Sequence, residues 1–231
     1  ANELRKASER LKTYIDGGKN RDEAILQLVQ ELVKETKAIR FDGDGYSEEW
    51  KKEAEKRGLP RYDTTADALP VLKDESKTSF LSQENVLASD EILARYHVAV
   101  ERYNKSIAIE AETLIEMVSN QIAPTIEAQL NTFHEVSSNF HSAKLKSTYE
   151  ERIAELETIF DTLLSDTKSL RFELEKVYEL DDDSQMRAFC DKIIPLMNEV
   201  RASSDKAELI VSDQLWPLPK YREMLFAMSL S

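Results

Sequence analysis

The chain has 231 residues, with 44 aspartates and glutamates against 31 lysines and arginines, which gives a formal net charge of −13 at pH 7. This acidic balance repels phosphate backbones and anionic lipid, so we expect neither a nucleic acid nor a membrane as a partner. The 5 glycines and 6 prolines are too few for the many turns of a β-sandwich or β-barrel. No apolar run approaches the roughly 18 residues that cross a bilayer. The composition therefore predicts a helical protein without a membrane span.

The first 60 residues carry the signals of three helices. The first helical pattern ends at the pair Gly17 and Gly18, which can form a C-cap. Asn20 is a suitable N-cap for a second helix. Ser47 caps a short third helix with an acidic first turn, which should end at Gly58. The second helix has six apolar residues on one face: Ile25, Leu28, Val29, Leu32, Val33 and Ile39.

The middle of the chain changes from weak to strong periodicity. From 61 to about 89 the pattern fades, and we expect a loop with one or two short helical pieces. A long helical pattern begins at Asp90 and continues past Pro124, which should kink the helix rather than end it. Its 50 or so residues would form a helix about 75 Å long. A compact globule of this chain length has a radius of gyration of only about 17 Å, so such a helix would extend well beyond it. We therefore expect an elongated molecule.

The last third predicts two more long helices. Apolar positions from Tyr149 to Val177 alternate at spacings of four and three, which is a heptad seam. We interpret this seam as a contact within the chain rather than a coiled coil between subunits. The run 181–184 (Asp-Asp-Asp-Ser) ends the pattern and offers an N-cap to the next helix, in which Pro195 is a second kink.

These elements predict one fold class. It is all-α, an elongated antiparallel helical bundle with long kinked helices joined by short connections. Residues 1–88 would form N-terminal helices and an irregular connector. Residues 89–231 would form the long-helix bundle with its C-terminal Trp-Pro-Leu-Pro tail.

The ends of the chain and its single cysteine bear on its cellular setting. Cys190 is the only cysteine, so an internal disulfide is impossible, which suits the reducing cytoplasm. We interpret Cys190 as a small core residue, because the three histidines are remote from it in sequence. The chain opens at Ala1 with neither an initiator methionine nor a signal region, so we expect a piece of a longer or processed protein.

A search for catalytic and metal-binding patterns finds none. The acidic run at 42–45 does not match the spacing of a calcium loop. Neither His134 nor His141 follows a glutamate by three residues, as helical-bundle metal sites require. Nucleotide loops, paired cysteine motifs and nucleophile elbows are also missing. We therefore predict no catalytic, cofactor-binding or metal-binding residue in this chain.

Several local stretches are more particular than the helix pattern. Residues 42–50 read Asp-Gly-Asp-Gly-Tyr-Ser-Glu-Glu-Trp and run into 53–60, Glu-Ala-Glu-Lys-Arg-Gly-Leu-Pro. The end, 215–226, reads Leu-Trp-Pro-Leu-Pro-Lys-Tyr-Arg-Glu-Met-Leu-Phe. Together with 93–96 and 107–111, and in this order, they resemble the C-terminal region of type III glutamine synthetase.

This resemblance implies a cytoplasmic enzyme that makes glutamine from glutamate and ammonia, using ATP and Mg or Mn. It also implies a ring-shaped homo-oligomer whose catalytic barrel lies upstream of the matched region. None of the catalytic motifs occurs here, so we carry over no catalytic residue and expect the chain alone to be inactive. Its implied partners are the catalytic domain of the same chain and neighbouring subunits, with 1–88 at the root of the bundle beside the barrel.

Five aromatic residues of the resembling stretches are candidates for packing or interface roles: Tyr46, Trp50, Trp216, Tyr221 and Phe226. Such large rings serve as apolar anchors. Two roles remain open for them, namely filling the core of the bundle and docking against the catalytic domain or a neighbouring subunit.

Two rival functions are compatible with the composition. The first is a free-standing acidic helical adaptor that binds partners through an exposed groove. The second is a helical-bundle metalloenzyme, which the missing Glu-x-x-His pairs disfavour.

Overall fold

The computed structural model describes residues 2–220 and 223–225. These residues are largely helical and include no strand, which confirms the all-α class. The chain divides into two compact units, 1–93 and 94–231. The candidates Tyr221 and Phe226 lie outside the described residues.

The first unit consists of short helices. They are α1 (Asn2–Asp16), α2 (Arg21–Glu35), α3 (Glu48–Lys56), α4 (Thr65–Ala68) and α5 (Glu75–Gln83), with 3₁₀ turns at Thr36–Ile39 and Leu69–Lys73. The predicted caps are confirmed, because the Asn20 and Ser47 side chains accept hydrogen bonds from the backbone N–H groups of Glu23 and Trp50. Gly18 and Gly58 follow α1 and α3 at φ values of 94° and 73°, in the left-handed region that favours glycine.

The connector after α3 agrees with its sequence pattern, which predicted a loop with one or two short helical pieces. Two such pieces are present, namely α4 with the 3₁₀ turn that follows it, and α5. Thr64 and Asp74 cap α4 and α5 by accepting from the N–H groups of Asp67 and Ser76. Such short segments hold too few apolar positions to show a helical period, and their caps were the available signal.

The second unit consists mainly of long helices. They are α6 (Ser89–Met117), α7 (Ala123–Ser138), α8 (Ala143–Tyr178), α9 (Asp182–Ala188) and α10 (Ile194–Glu208). The first of them, α6, begins within the last residues of the first unit. The stretch from α6 to α7 is one continuous helix, and so is the stretch from α9 to α10, since a π-helical turn joins each pair. Helix α8 packs against both α7 and α10. Asp181 caps α9 by accepting from the N–H groups of Asp183 and Ser184, as predicted.

Both prolines inside the long helices are preceded by a π-helical turn. The turns are Val118–Ile122 before Pro124 and Phe189–Ile193 before Pro195. A proline ring clashes with the carbonyl four residues earlier and has no N–H to donate. The wider turn relieves this clash, and the residue before each proline donates to the carbonyl five residues earlier. The helices therefore continue past Pro124 and Pro195, as expected.

The core of the second unit is continuous. Its buried side chains come from α6, α7, α8, both π turns, α10 and the tail: Ala111, Ile115, Val118, Ile122, Ile126, Phe133, Ile153, Leu156, Leu163, Leu170, Leu174, Val177, Phe189, Ile193, Val200, Ala207, Val211 and Trp216. The heptad seam of α8 supplies six of these residues and lies against helices of the same chain. This confirms the prediction of an intrachain seam.

Candidate functional site

Trp216 lies in the core of the second unit. Its side chain is buried, and the preceding tail folds back on α7. The Gln129 side chain accepts from the Ser212 N–H at 2.9 Å, and the Thr125 hydroxyl donates to the Leu215 carbonyl at 3.3 Å. These bonds direct the indole inward, where it packs on apolar side chains of the bundle.

Trp50 and Tyr46, the candidates in the first unit, have different surroundings. Trp50 stacks on Phe41 with ring centroids 4.5 Å apart, and the Arg57 guanidinium lies 5.6 Å from the Trp50 ring. Arg57 also donates to the Arg40 carbonyl at 2.7 Å, which fastens α3 to the turn after α2. Tyr46, in contrast, is 94% exposed. Trp50 thus has contacts within the unit, while Tyr46 presents its ring to solvent.

Helix α2 has an apolar face that is only partly covered. Ala24 and Leu28 are buried, on the side of α2 that also carries Glu31 and Glu35, the partners of Arg10 in α1. Four large aliphatic side chains of α2 remain 39–59% exposed: Ile25, Leu26, Val29 and Val33. We call these four residues the uncovered α2 face. Sequence periodicity placed three of them on one apolar face, but it missed Leu26 and did not show that the set lacks a partner here.

A polar network joins α1 to α2. The Arg10 guanidinium lies 2.6 Å from a Glu31 carboxylate oxygen and 3.0 Å from one of Glu35. The Tyr14 hydroxyl donates to the same Glu31 oxygen, and the Gln27 amide donates to the other at 2.8 Å. The hydrogen bond from Tyr14, followed by those from Gln27 and Arg10, lowers the pKa of Glu31 to about 2. This network orients the α1–α2 hairpin without covering the uncovered α2 face.

An open groove of about 560 Å³ lies along α6 and α8 in the second unit. Two of its polar groups have partners nearby, since the Tyr178 hydroxyl donates to Glu112 at 2.6 Å and the Ser119 hydroxyl donates to the Ile115 carbonyl at 2.7 Å. Burial and then the hydrogen bond to Glu112 raise the pKa of Tyr178. The groove residues thus stabilise the helix pair, and no histidine or cysteine lines it.

The described part of the chain holds neither a metal-binding cluster nor a membrane-spanning helix. It contains no cluster of three or more histidine, cysteine, aspartate or glutamate side chains arranged to hold a metal ion. His134 lies 3.8 Å from Glu157 on an exposed surface. No helix within the described ranges is both long and apolar enough to span a bilayer.

Comparison with known proteins identifies the family. A sequence model described as the glutamine synthetase C-terminal domain matches residues 24–144, just over half of the chain. The chain belongs to this family. The family assignment confirms the resemblance drawn from the local sequence stretches, and the matched segment contains most of α2, Tyr46 and Trp50 but not Trp216.

Curated relatives extend the match to most of the chain. The "Glutamine synthetase" of Bacteroides fragilis (strain YCH46) is 29% identical over 234 residues, which are 98% of this chain and 32% of the relative. The "Type-3 glutamine synthetase" of Dictyostelium discoideum is 31% identical over 215 residues, 90% of this chain and 29% of the relative. The "Glutamine synthetase" of Butyrivibrio fibrisolvens is 26% identical over 88% of this chain. The chain therefore spans about a third of the length of the relatives it matches.

Proposed function

We propose that this glutamine synthetase C-terminal domain is part of a longer type III enzyme and serves it as a structural, assembly or regulatory element without an active site of its own. One observation carries the proposal: relatives match nearly all of this chain, yet the chain covers only 32% and 29% of them. The described residues also hold no cluster of metal-binding side chains.

The parent enzyme would join ammonia to glutamate with ATP, giving glutamine in the cytoplasm. The part of the polypeptide outside this chain would bind ATP and Mg or Mn. Partners of the domain would be that catalytic part and neighbouring subunits of a ring-shaped homo-oligomer. Within the domain, 1–88 would lie at the root beside the catalytic barrel, and 89–231 would form the long-helix bundle.

Among the three aromatic candidates that the structure describes, Tyr46 is best suited to an intermolecular or interdomain contact. Its ring is 94% exposed, whereas Trp50 is engaged by Phe41 and Arg57, and Trp216 fills the core of the second unit. Burying an exposed tyrosine ring at an interface removes a large apolar area from water and leaves the hydroxyl able to bond. We therefore assign Tyr46 an interface role and Trp216 a core role.

The size of the native polypeptide tests the proposal. An antibody raised against this chain should detect, in an extract of the source cells, a polypeptide about three times longer than 231 residues, in line with the coverage of the relatives. That polypeptide should form glutamine from glutamate, ammonia and ATP, and the isolated chain should not. A native band at 26.5 kDa would contradict the proposal and favour the free-standing adaptor, for which the uncovered α2 face would be the binding surface.

A further inference from the structure

We infer that the uncovered α2 face is the surface by which this domain docks on the part of its own polypeptide that lies outside these 231 residues. The inference rests on the proposed function, since it requires a longer chain. It adds which helix makes the contact and which side chains the contact buries.

The width of the apolar surface on α2 is the first argument. Successive residues of an α-helix are turned by about 100°, so Ala24 and Leu28 lie on one side of Ile25, and Val29, Val33 and Leu26 on the other. Together they span an arc of about 200°, where one neighbouring element needs a stripe of about 100°. Helix α2 is therefore patterned for two neighbours.

The second argument is that one of these neighbours is present. Helix α1 contacts α2, and Ala24 and Leu28 are buried. The Arg10–Glu31 ion pair and the Tyr14–Glu31 hydrogen bond hold this pairing in place. The uncovered α2 face is the remaining half of the arc. No described residue covers it fully, since its side chains remain 39–59% exposed. A contiguous exposed patch of aliphatic residues is typical of a surface that binds another protein surface.

The length of the missing chain identifies the occupant. The relatives are about three times longer than this chain, so most of the polypeptide is unaccounted for. A segment tethered to the domain has an effective concentration in the millimolar range. It therefore competes strongly against a second copy of the domain or an unrelated protein for the same face. The match to the family begins at residue 24, so α2 belongs to the part of the chain that identifies the family.

Thiol labelling in the longer polypeptide tests the inference. Val29→Cys places a thiol in the uncovered α2 face, and Lys34→Cys places one on an exposed residue of the same helix, about 140° away around it. Both variants carry Cys190→Ser, and peptide mass spectrometry assigns the labelled site. In the isolated 231-residue chain both thiols should react at similar rates. In the full-length protein the Val29→Cys thiol should react at least tenfold more slowly, while the Lys34→Cys thiol should not change.

Three outcomes would overturn the inference. The first is an equal rate for the Val29→Cys thiol in the isolated chain and in the full-length protein. The second is protection of that thiol in the isolated chain that disappears on dilution, because a second copy would then be the occupant. The third is equally slow labelling of both thiols in full-length protein that makes glutamine, because the shielding would then not be specific to the uncovered α2 face. Full-length protein that makes glutamine while its Val29→Cys thiol stays reactive would refute only this inference and leave the proposed function intact.

Discussion

The two units differ in how completely they bury their own apolar side chains. Among the described residues, the buried apolar side chains of 1–93 are Ala24, Leu28, Ala66 and Ile92, while large residues such as Leu26 remain on the surface. The second unit buries a continuous core that runs through α6, α7, α8 and α10 to the tail. The second unit therefore covers its apolar surface with its own helices, whereas the first leaves the uncovered α2 face exposed.

The number of packed neighbours explains much of this contrast. Helix α8 repeats its apolar seam over four heptads, and both α7 and α10 cover it from within the chain. Helix α2 has α1 as its main helical neighbour, and a single neighbour covers only one side of a helix. Short helices gain most of their stability from tertiary packing, and a half-covered helix therefore points to a missing neighbour.

The largest expected effect tests the core role of Trp216. Trp216→Ala should lower the free energy of unfolding of the isolated chain by about 3–5 kcal/mol, because it leaves a cavity in a packed core. Urea unfolding measures this loss. Trp216→Phe is the matched variant: it keeps a ring in the core and should cost clearly less. Equal, small effects of both substitutions would mean that Trp216 does not stabilise the second unit.

A neighbouring pair on α8 sharpens the comparison within one helix. Leu163 is fully buried in the seam, and Leu164 beside it is 46% exposed. Leu163→Ala should cost about 2–5 kcal/mol, whereas Leu164→Ala should stay within about 0.5 kcal/mol. Thermal unfolding should show a drop of about 2–4 °C for each kcal/mol lost. Similar melting temperatures for the two variants would disprove the assigned register of the seam.

The Glu31 network predicts that the first unit is sensitive to acid. The folded-state pKa of Glu31 is about 2, below its ordinary value of 4.5. Its ionised form therefore stabilises the fold at pH values above about 4.5, and this contribution is lost as the pH falls toward 2. Glu31→Gln should be less stable than the wild type near pH 6, and the difference should shrink on acidification. Urea midpoints across this range measure it, and a constant difference would contradict the assignment.

The smallest expected effect concerns the uncovered α2 face. Leu26→Ala in the isolated chain should change the free energy of unfolding by no more than about 0.5 kcal/mol, since the side chain is already 59% exposed. Leu28→Ala, at a buried position on the same helix, is the comparison variant and should cost several times more. If Leu26→Ala destabilised the isolated chain as much as Leu28→Ala, the face would already have a partner in this chain.

Local signals in the sequence predicted where the helices lie better than they predicted which residues pack against each helix. The caps at Asn20, Ser47 and Asp181 act on N–H groups two or three residues away, so the sequence pattern is sufficient to identify them. The seam of α8 could likewise be predicted from the sequence, because its apolar spacing repeats over four heptads. Whether a face is covered depends on residues far away in sequence. Periodicity therefore found the apolar face of α2 but not its missing neighbour, and it left core and interface roles open for Trp216.

Hydrogen–deuterium exchange, measured side by side on the isolated chain and the full-length protein, distinguishes a unit that packs on itself from one that needs a neighbour. Amides in the seam of α8 should exchange at the same slow rate in both proteins, because the second unit packs on itself. Amides of α2 should exchange fast in the isolated chain and much more slowly in the full-length protein, because only there is the uncovered α2 face buried. Equal exchange of α2 in the two proteins would show that the uncovered α2 face is not buried in the full-length protein.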